Sequence, residues 1–255
     1  MHKNTGVFPG IPSGSRVLIT GASGGIGQAL VKAFIRQGDV YIGAHYSSPK
    51  GDLEGAIARS ENVHLMKKRF RAERDCVELV DKFCGQAGGI DALVVCSGGM
   101  ANPVHWKDLS EKDWEHDIFL NLSVPFYLSR AAMRHMEKGR IILFGTESAL
   151  HGGGSASLAY GVAKMGVECM VKGLAREGAP KNILVNMIRP GYISTGFHQR
   201  WQKKNRKDME ARADLVPLKR AGTPEEVAAL VAYLLSEWGD FITGQSFAIT
   251  GGDWL

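Results

Sequence analysis

The sequence is poor in the features that mark secreted, membrane-spanning and metal-binding proteins. Its 255 residues contain only 4 cysteines and no Cys-x-x-Cys pair, which excludes a disulfide scaffold or a zinc ribbon and predicts free thiols in a reducing compartment. No run approaches the roughly 18 consecutive apolar residues of a membrane-spanning helix. The N-terminal stretch also lacks the apolar segment of a signal peptide. We therefore expect a soluble cytoplasmic protein without a membrane partner.

A broadly distributed excess of charge is also missing. The net charge is +5, and most of it is concentrated between Phe197 and Arg212. No zinc-finger, basic-zipper or aromatic RNA-binding pattern accompanies it, so nucleic acid is not an expected partner. The segment is typical either of a surface that attracts an anionic substrate or of a solvated charged helix. Its basic residues are Arg200, Lys203, Lys204, Arg206, Lys207 and Arg212.

Glycine, in contrast, is abundant, and short Val/Ile/Leu runs alternate with helix-like stretches. The 32 glycines are nearly twice the average usage of about 7%. The alternation predicts an α/β fold: a doubly wound parallel sheet of about seven strands with helices on both faces. The predicted strands are Arg16–Thr20, Val40–Ala44, Val63–Met66, Asp91–Cys96, Arg140–Gly145, Ile183–Ile188 and Ser246–Thr250. The predicted helices are Gly25–Arg36, Asp75–Cys84, Glu111–His135, Ser157–Glu177 and Pro224–Ser236, the last with Thr223 as its cap.

No repeat or low-complexity linker divides the chain. We therefore predict one domain over residues 1–255, with an N-terminal extension over 1–13 and a helical insertion over 195–215.

A glycine-rich turn connects the first predicted strand to the first helix. The strand continues into Gly21-Ala-Ser-Gly-Gly-Ile-Gly27. Glycine lets backbone N–H groups and a helix N-terminus approach a phosphate without an intervening Cβ. Between a strand and a helix, this turn predicts a nucleotide site. Its contact residues would be Gly21, Ser23, Gly24, Gly25, Ile26 and Gly27.

Tyr160 and Lys164 form a second candidate site. They are four residues apart, so a helix places them on one face. A nearby ammonium favours phenolate, so we expect Lys164 to lower the pKa of Tyr160 from its ordinary value near ~10. The pair predicts acid–base chemistry.

Together these motifs resemble the short-chain dehydrogenase/reductase family, over roughly residues 14–255. The resemblance is carried by Thr20-Gly21-x-x-x-Gly25-Ile26-Gly27, Tyr160-x-x-x-Lys164, Asn121 in Phe-Leu-Asn-Leu, and Pro190-Gly191-Tyr-Ile193-Ser-Thr195. The chain is most similar to members that act as 3-oxoacyl-carrier-protein reductases or sugar dehydrogenases. The resemblance implies a Rossmann-type sheet, a nicotinamide cofactor, a homotetramer, and hydride transfer between a ketone and a secondary alcohol.

The resemblance also implies roles for individual residues. Tyr160 would donate a proton to the carbonyl in reduction, Lys164 would hold the nicotinamide ribose, and Asn121 would anchor a water that links Lys164 to solvent. The family's serine, which hydrogen-bonds the substrate oxygen, lies thirteen residues before the tyrosine, a position occupied here by Glu147. Counting from the preceding strand places Thr146 there instead, and this is the assignment we favour. Ser148 is the alternative.

Two segments bear on the cofactor. After the second strand, His45-Tyr46-Ser47 is followed by no carboxylate before Asp52, which favours NADP over NAD. Relatives that use NADP often carry Arg at the position of Gly24, so Arg69 or Lys50 would have to supply the cation. Where the family usually has Asn-Asn-Ala-Gly, this chain has Val95-Cys96-Ser97-Gly98, so we expect binding with altered support. The remaining implied cofactor contacts are Ser97, Gly98, Pro190, Gly191, Ile193 and Thr195.

The prediction is therefore an oxidoreductase acting on a small carbonyl or alcohol substrate beneath a lid over 195–215; the lid's charge suits an anionic substrate. One alternative is a non-catalytic nucleotide-sensing protein on the same fold. A cofactor-independent lyase is disfavoured because the glycines and Lys164 are present.

Overall fold

One parallel sheet organises the chain. The computed structural model describes residues 10–47, 53, 55, 60–197 and 205–253. Within them the strand order is β3-β2-β1-β4-β5-β6-β7, and every pair is parallel. The strands are β1 (Ser15–Thr20), β2 (Val40–Tyr46), β3 (Val63–Lys67), β4 (Ala92–Val95), β5 (Gly139–Phe144), β6 (Ile183–Pro190) and β7 (Ser246–Ile249). The predicted doubly wound sheet is confirmed.

The helices cover both faces of this sheet. Their bounds are α1 (Gly25–Gln37), α2 (Glu73–Ala87), α3 (Glu111–Ile118), α4 (Val124–His135), α5 (Leu158–Gly178), α6 (Arg206–Leu215) and α7 (Pro224–Leu235). The predicted helix over Glu111–His135 is present, but it is not a regular α-helix throughout. A π-helical turn, Phe119–Ser123, separates α3 from α4. Its backbone hydrogen bonds join residues five apart instead of four.

The predicted start of α7 is confirmed in detail. The Thr223 hydroxyl accepts a hydrogen bond from the Glu226 amide at 3.2 Å, and the Glu226 carboxylate accepts one from the Thr223 amide at 2.8 Å. Pro224 occupies the first turn, where its missing N–H costs nothing. This reciprocal cap explains why the helix begins where the sequence predicts.

Apolar residues form a core on each face of the sheet. Phe34 of α1 and Val231 of α7 are fully buried on one face. Phe83 of α2, Leu128 of α4 and Val171 of α5 are fully buried on the other. The central strands are buried on both sides, as their continuous apolar runs predict.

The connections determine where a ligand can bind. β1 is followed by α1 on one face, whereas β4 is followed by α3 and α4 toward the other. Because β1 and β4 are neighbours in the sheet, their carboxyl ends diverge into a crevice. The predicted glycine turn begins at this point.

Candidate active site

A cavity of about 710 Å³ opens at the carboxyl ends of the central strands. It brings together nearly all of the predicted site residues. Those lining it are Gly21, Ser23, Gly24, Gly25, Ile26, Gly27, His45, Ser47, Ser97, Gly98, Thr146, Ser148, Tyr160, Lys164, Pro190, Gly191, Ile193 and Thr195. Of the predicted residues, Tyr46 and Asn121 lie outside this lining: both are buried beside it.

Glycine is required in the turn after β1. Gly21 has a φ of +70°, and a Cβ added there would lie 2.6 Å from the Ser97 backbone nitrogen. A Cβ on Gly27 would collide with the Gly21 carbonyl. Gly24 caps α1 without a side chain, which leaves the first amides of the helix for a ligand. The cradle therefore fits a dinucleotide pyrophosphate by its own shape.

His45 supports this cradle from behind. Its Nδ1 accepts a hydrogen bond from the Gly21 amide at 3.3 Å, and its Nε2 lies 2.9 Å from the Lys68 carbonyl. Burial lowers the pKa of His45 to about 4, so the ring is neutral at physiological pH. Its ring also stacks on Phe70, with centroids 4.6 Å apart. His45 therefore holds the turn as well as lining the cavity.

The segment that replaces the family's usual residues after β4 is held by hydrogen bonds to the end of β1. The Thr20 and Ser97 hydroxyls lie 2.7 Å apart, and the Cys96 amide donates to the Thr20 carbonyl at 3.0 Å. These bonds join β1 to β4 where the family usually has two asparagines. The altered support expected from the sequence is present as a hydroxyl pair.

Asn121 lies in the π-helical turn and is completely buried. Its side chain accepts a hydrogen bond from the Gly99 amide at 3.1 Å and donates to the Gly99 carbonyl at 2.7 Å. It also donates to the Asp117 carbonyl, while the Asp117 carboxylate accepts from the Ala101 amide. Asn121 and Asp117 thus hold the loop after β4, and the water-anchoring role of Asn121 stays a prediction.

Tyr160 and Lys164 lie on one face of α5, as predicted. The Lys164 Nζ is 5.6 Å from the centre of the Tyr160 ring and donates to the Phe144 carbonyl at 2.8 Å. Burial lowers the pKa of Lys164 to about 8. Burial raises the pKa of Tyr160, and the Asp117 carboxylate adds to that rise.

The expectation that Lys164 lowers the pKa of Tyr160 is therefore wrong for this geometry. Burial of the hydroxyl and the nearby Asp117 carboxylate both disfavour the phenolate, and the Lys164 ammonium is itself buried and already bonded to a carbonyl. Tyr160 is protonated at neutral pH, which is the form that can donate a proton.

The two candidate hydroxyls for the carbonyl oxygen both reach the cavity. Thr146 Oγ1 and Ser148 Oγ are 3.1 Å apart, so either can donate to the other. Glu147 points to Arg189 instead, with its carboxylate 3.0 Å from the Arg189 Nε. The assignment to Thr146 or Ser148 stays open.

The substrate end contains residues that no sequence motif identified. They come from loops and helix ends, where only the folded chain shows proximity: Met100, His116, Leu120 and Ser157. Phe197 lines the same cavity and belongs to the predicted lid over 195–215. The Phe197 ring lies 5.8 Å from the Tyr160 ring.

The basic segment is described only in part. Arg206 pairs with Glu210 on the exposed surface of α6, whereas Arg212 pairs with Asp253, which lies beyond β7 and whose side chain is only 10% exposed. Arg200, Lys203 and Lys204 lie outside the described residues, as does Lys50.

Comparison with known proteins agrees with this geometry. A family model described as enoyl-(acyl carrier protein) reductase matches residues 21–253. An uncharacterised oxidoreductase of Schizosaccharomyces pombe is 34% identical over 245 residues, covering 94% of this chain and 90% of its own. A 3-oxoacyl-[acyl-carrier-protein] reductase of Thermotoga maritima is 32% identical, covering 94% and 97%. The chain belongs to the short-chain dehydrogenase/reductase family.

A solved structure supports the assignment. A short-chain dehydrogenase/reductase of Brucella melitensis, titled glucose/ribitol dehydrogenase, has a TM-score of 0.88 at 28% identity and covers 97% of this chain and 100% of its own. As a member of this family, the protein is an NAD(P)-dependent oxidoreductase. In the described part of the chain, no helix is long and apolar enough to cross a membrane, and no cluster of His, Cys, Asp or Glu could hold a metal.

Proposed function

We propose that this short-chain dehydrogenase/reductase interconverts a ketone and a secondary alcohol, with NADP as its preferred cofactor. The observation that carries the proposal is a single cavity with the glycine cradle at one end and Tyr160, Lys164 and the Thr146/Ser148 hydroxyls at the other. A cavity that connects the glycine cradle to Tyr160 suits a dinucleotide whose reactive ring lies beside that tyrosine.

Side chains of the protein supply the proton that the substrate oxygen receives and the hydrogen bond that polarises the substrate carbonyl. When bound, the nicotinamide supplies hydride to the carbonyl carbon in reduction and accepts it in oxidation. Thr146 or Ser148 donates a hydrogen bond to the carbonyl oxygen, and Tyr160 transfers its proton to that oxygen. The raised pKa of Tyr160 keeps the proton available at neutral pH. Lys164, held by the Phe144 carbonyl, orients the nicotinamide ribose.

Residues near the end of β2 support the preference for NADP. Ser47 lines the cavity directly after β2, and His45 is neutral, so the described part of this segment offers no carboxylate to repel a 2′-phosphate. Arg69 lines the same cavity and belongs to a predominantly basic groove with Lys67, Lys68, Arg71 and Arg74, in which Asp75 is ion-paired with Lys68. A guanidinium there would bind a phosphate bidentately.

The function is tested by cofactor titration and turnover. Purified protein is titrated with NADPH and NADH by nicotinamide fluorescence and then assayed on a panel of ketones, beside Tyr160→Phe. We expect tighter binding of NADPH, turnover of at least one ketone, and binding without turnover in the variant. Loss of the proton donor should lower kcat by about 1,000-fold.

Each outcome has a definite meaning. No binding of either nucleotide at millimolar concentration would overturn the proposal. Binding without turnover of any ketone would favour the nucleotide-sensing alternative. A kcat in Tyr160→Phe close to the wild-type value would show that Tyr160 is not the proton donor.

Arg69 is the residue on which cofactor choice is tested separately. We expect Arg69→Gln to weaken NADPH binding by about 10-fold and leave NADH binding unchanged, since only the 2′-phosphate contact is lost. Arg71→Gln, which removes the same charge from an exposed position in the same loop, is the matched control. Equal effects of the two variants would assign the preference to general charge and not to Arg69.

We also propose a homotetramer, on the family resemblance and on exposed apolar side chains of α3 and α5. Trp114, Val162 and Met165 are 37%, 44% and 44% exposed. Light scattering coupled to size exclusion should give about four times the chain mass of 27.7 kDa. A monomeric mass would exclude it.

A further inference from the structure

We propose that Arg189, through its ion pair with Glu147, is a positioning residue for the hydroxyls that orient the carbonyl. The inference rests on the proposed function, because it assigns a task to the segment of Thr146 and Ser148. Arg189 acts through Glu147, which lies between Thr146 and Ser148 in the chain.

Arg189 is held between two carboxylates. Its Nε donates to Glu147 Oε2 at 3.0 Å, and its Nη1 donates to the two Glu168 oxygens at 3.1 and 3.3 Å. The side chains of Arg189, Glu147 and Glu168 are only 16%, 11% and 15% exposed, respectively. We call Glu147, Arg189 and Glu168 the arginine clamp.

The clamp joins three elements that shape the substrate end. Glu147 opens the short 3₁₀ helix after β5, Arg189 is near the end of β6, and Glu168 lies one turn beyond Lys164 on α5. A Cβ added to Gly145 would lie 2.9 Å from Met187 Cε and 3.3 Å from Arg189 Cγ, so the start of the hydroxyl segment lies directly against these two side chains of β6.

The direction of Glu147 explains how the clamp acts. Thr146 and Ser148 line the cavity, whereas the Glu147 carboxylate is bonded to Arg189. When the middle residue of three is anchored on one side, rotation of the segment about its own axis is restricted, and the flanking hydroxyls remain turned toward the cavity. Release of Glu147 would allow both hydroxyls to move away from the carbonyl oxygen.

A contribution to folding stability does not by itself explain the two ion pairs of the arginine clamp. Removing charges from water offsets much of the attraction between them, so buried ion pairs contribute little net stability compared with apolar packing. A positional requirement gives the clamp a function that a purely apolar contact could not provide, because its hydrogen bonds fix orientation.

The test compares Arg189 with an ion pair far from the site. Arg189→Met removes both ion pairs of the clamp, and Arg189→Lys keeps the positive charge but lacks the planar guanidinium. Glu147→Gln removes only the Glu147 charge and serves as the second variant if Arg189→Met does not fold. Asp91→Asn is the matched control, since Arg16 and Asp91 form a half-buried bidentate pair at the amino edge of the sheet. Each variant is measured for unfolding, nucleotide binding, kcat and KM.

We expect Arg189→Met and Glu147→Gln to lower kcat by about 10- to 100-fold while nucleotide binding stays at the wild-type level, with partial recovery in Arg189→Lys. Asp91→Asn should lose stability without loss of kcat. If the clamp variants lose only stability, as the control does, the inference is overturned. If the wild-type protein itself reduces no ketone, the proposed function has failed instead, and the two failures are distinct.

Discussion

At the nucleotide end of the cavity the receiving surface consists mainly of backbone, whereas at the substrate end it consists of side chains. Gly21 and Gly27 shape the first by having no Cβ, and His45 supports it through a backbone amide. Tyr160 and Lys164 shape the second through their functional groups. The difference implies that the nucleotide end is sensitive to added atoms and the substrate end to removed ones.

After Tyr160→Phe, the largest effect should come from removing one of the two hydroxyls that are candidates for orienting the carbonyl. We expect Thr146→Val to lower kcat by about 100-fold, because one donor to the developing oxyanion is lost. Ser148→Ala should lower it by less than about 10-fold if Thr146 is the donor. Steady-state kinetics on the same ketone decides between them. The reverse order would assign the role to Ser148.

Adding one carbon at the nucleotide end should have a somewhat smaller effect. Gly21→Ala combines a positive φ with a clash against Ser97, and we expect nucleotide affinity to fall by about 30-fold. Gly88→Ala is the control: its φ is +74°, but no atom lies within 4 Å of the added Cβ. It should cost about 1 kcal/mol of stability and leave nucleotide affinity unchanged. Unchanged affinity in Gly21→Ala would contradict the backbone cradle.

The smallest expected effect concerns His45, which supports the glycine turn, and it is a pH dependence of the free energy of unfolding. The pKa of His45 is about 4 in the folded chain against 6.5 ordinarily, so below pH 6.5 the unfolded chain binds a proton that the folded chain does not. The free energy of unfolding should therefore be fully retained above pH 6.5 and fall as the pH drops toward 4.

At pH 5.5 this loss should be about 1 kcal/mol relative to pH 7.5. Urea unfolding of the wild-type chain and of His45→Gln at both pH values measures it, and the variant should show a smaller loss. The same pH dependence in both proteins would show that other groups are responsible.

The fold was largely predictable because it depends on local patterns. All seven strands lie within two residues of their predicted bounds, and the Thr223 cap was visible in the sequence. The π-helical turn after Ile118 was not predicted, since it leaves the apolar periodicity around it nearly intact. The position of the glycine turn at the cavity was equally predictable, because a glycine turn between a strand and a helix is itself a local signal.

The chemistry of the site was less predictable because it depends on burial and on distant residues. The direction of the Tyr160 pKa shift was missed, since four-residue spacing gives proximity to Lys164 but not the desolvation of the hydroxyl. The arginine clamp joins residues 21 and 42 positions apart, a separation with no periodic signature.

The π-helical turn at Phe119–Ser123 is equivalent to a one-residue insertion in an otherwise continuous helix. One extra residue rotates everything that follows by about 100°. This phase shift lets α3 direct Asp117 toward the loop after β4 while α4 directs Leu128 into the core. A chain shortened by one residue in this turn would have to give up one of these two contacts, so the length of the segment is as constrained as its composition.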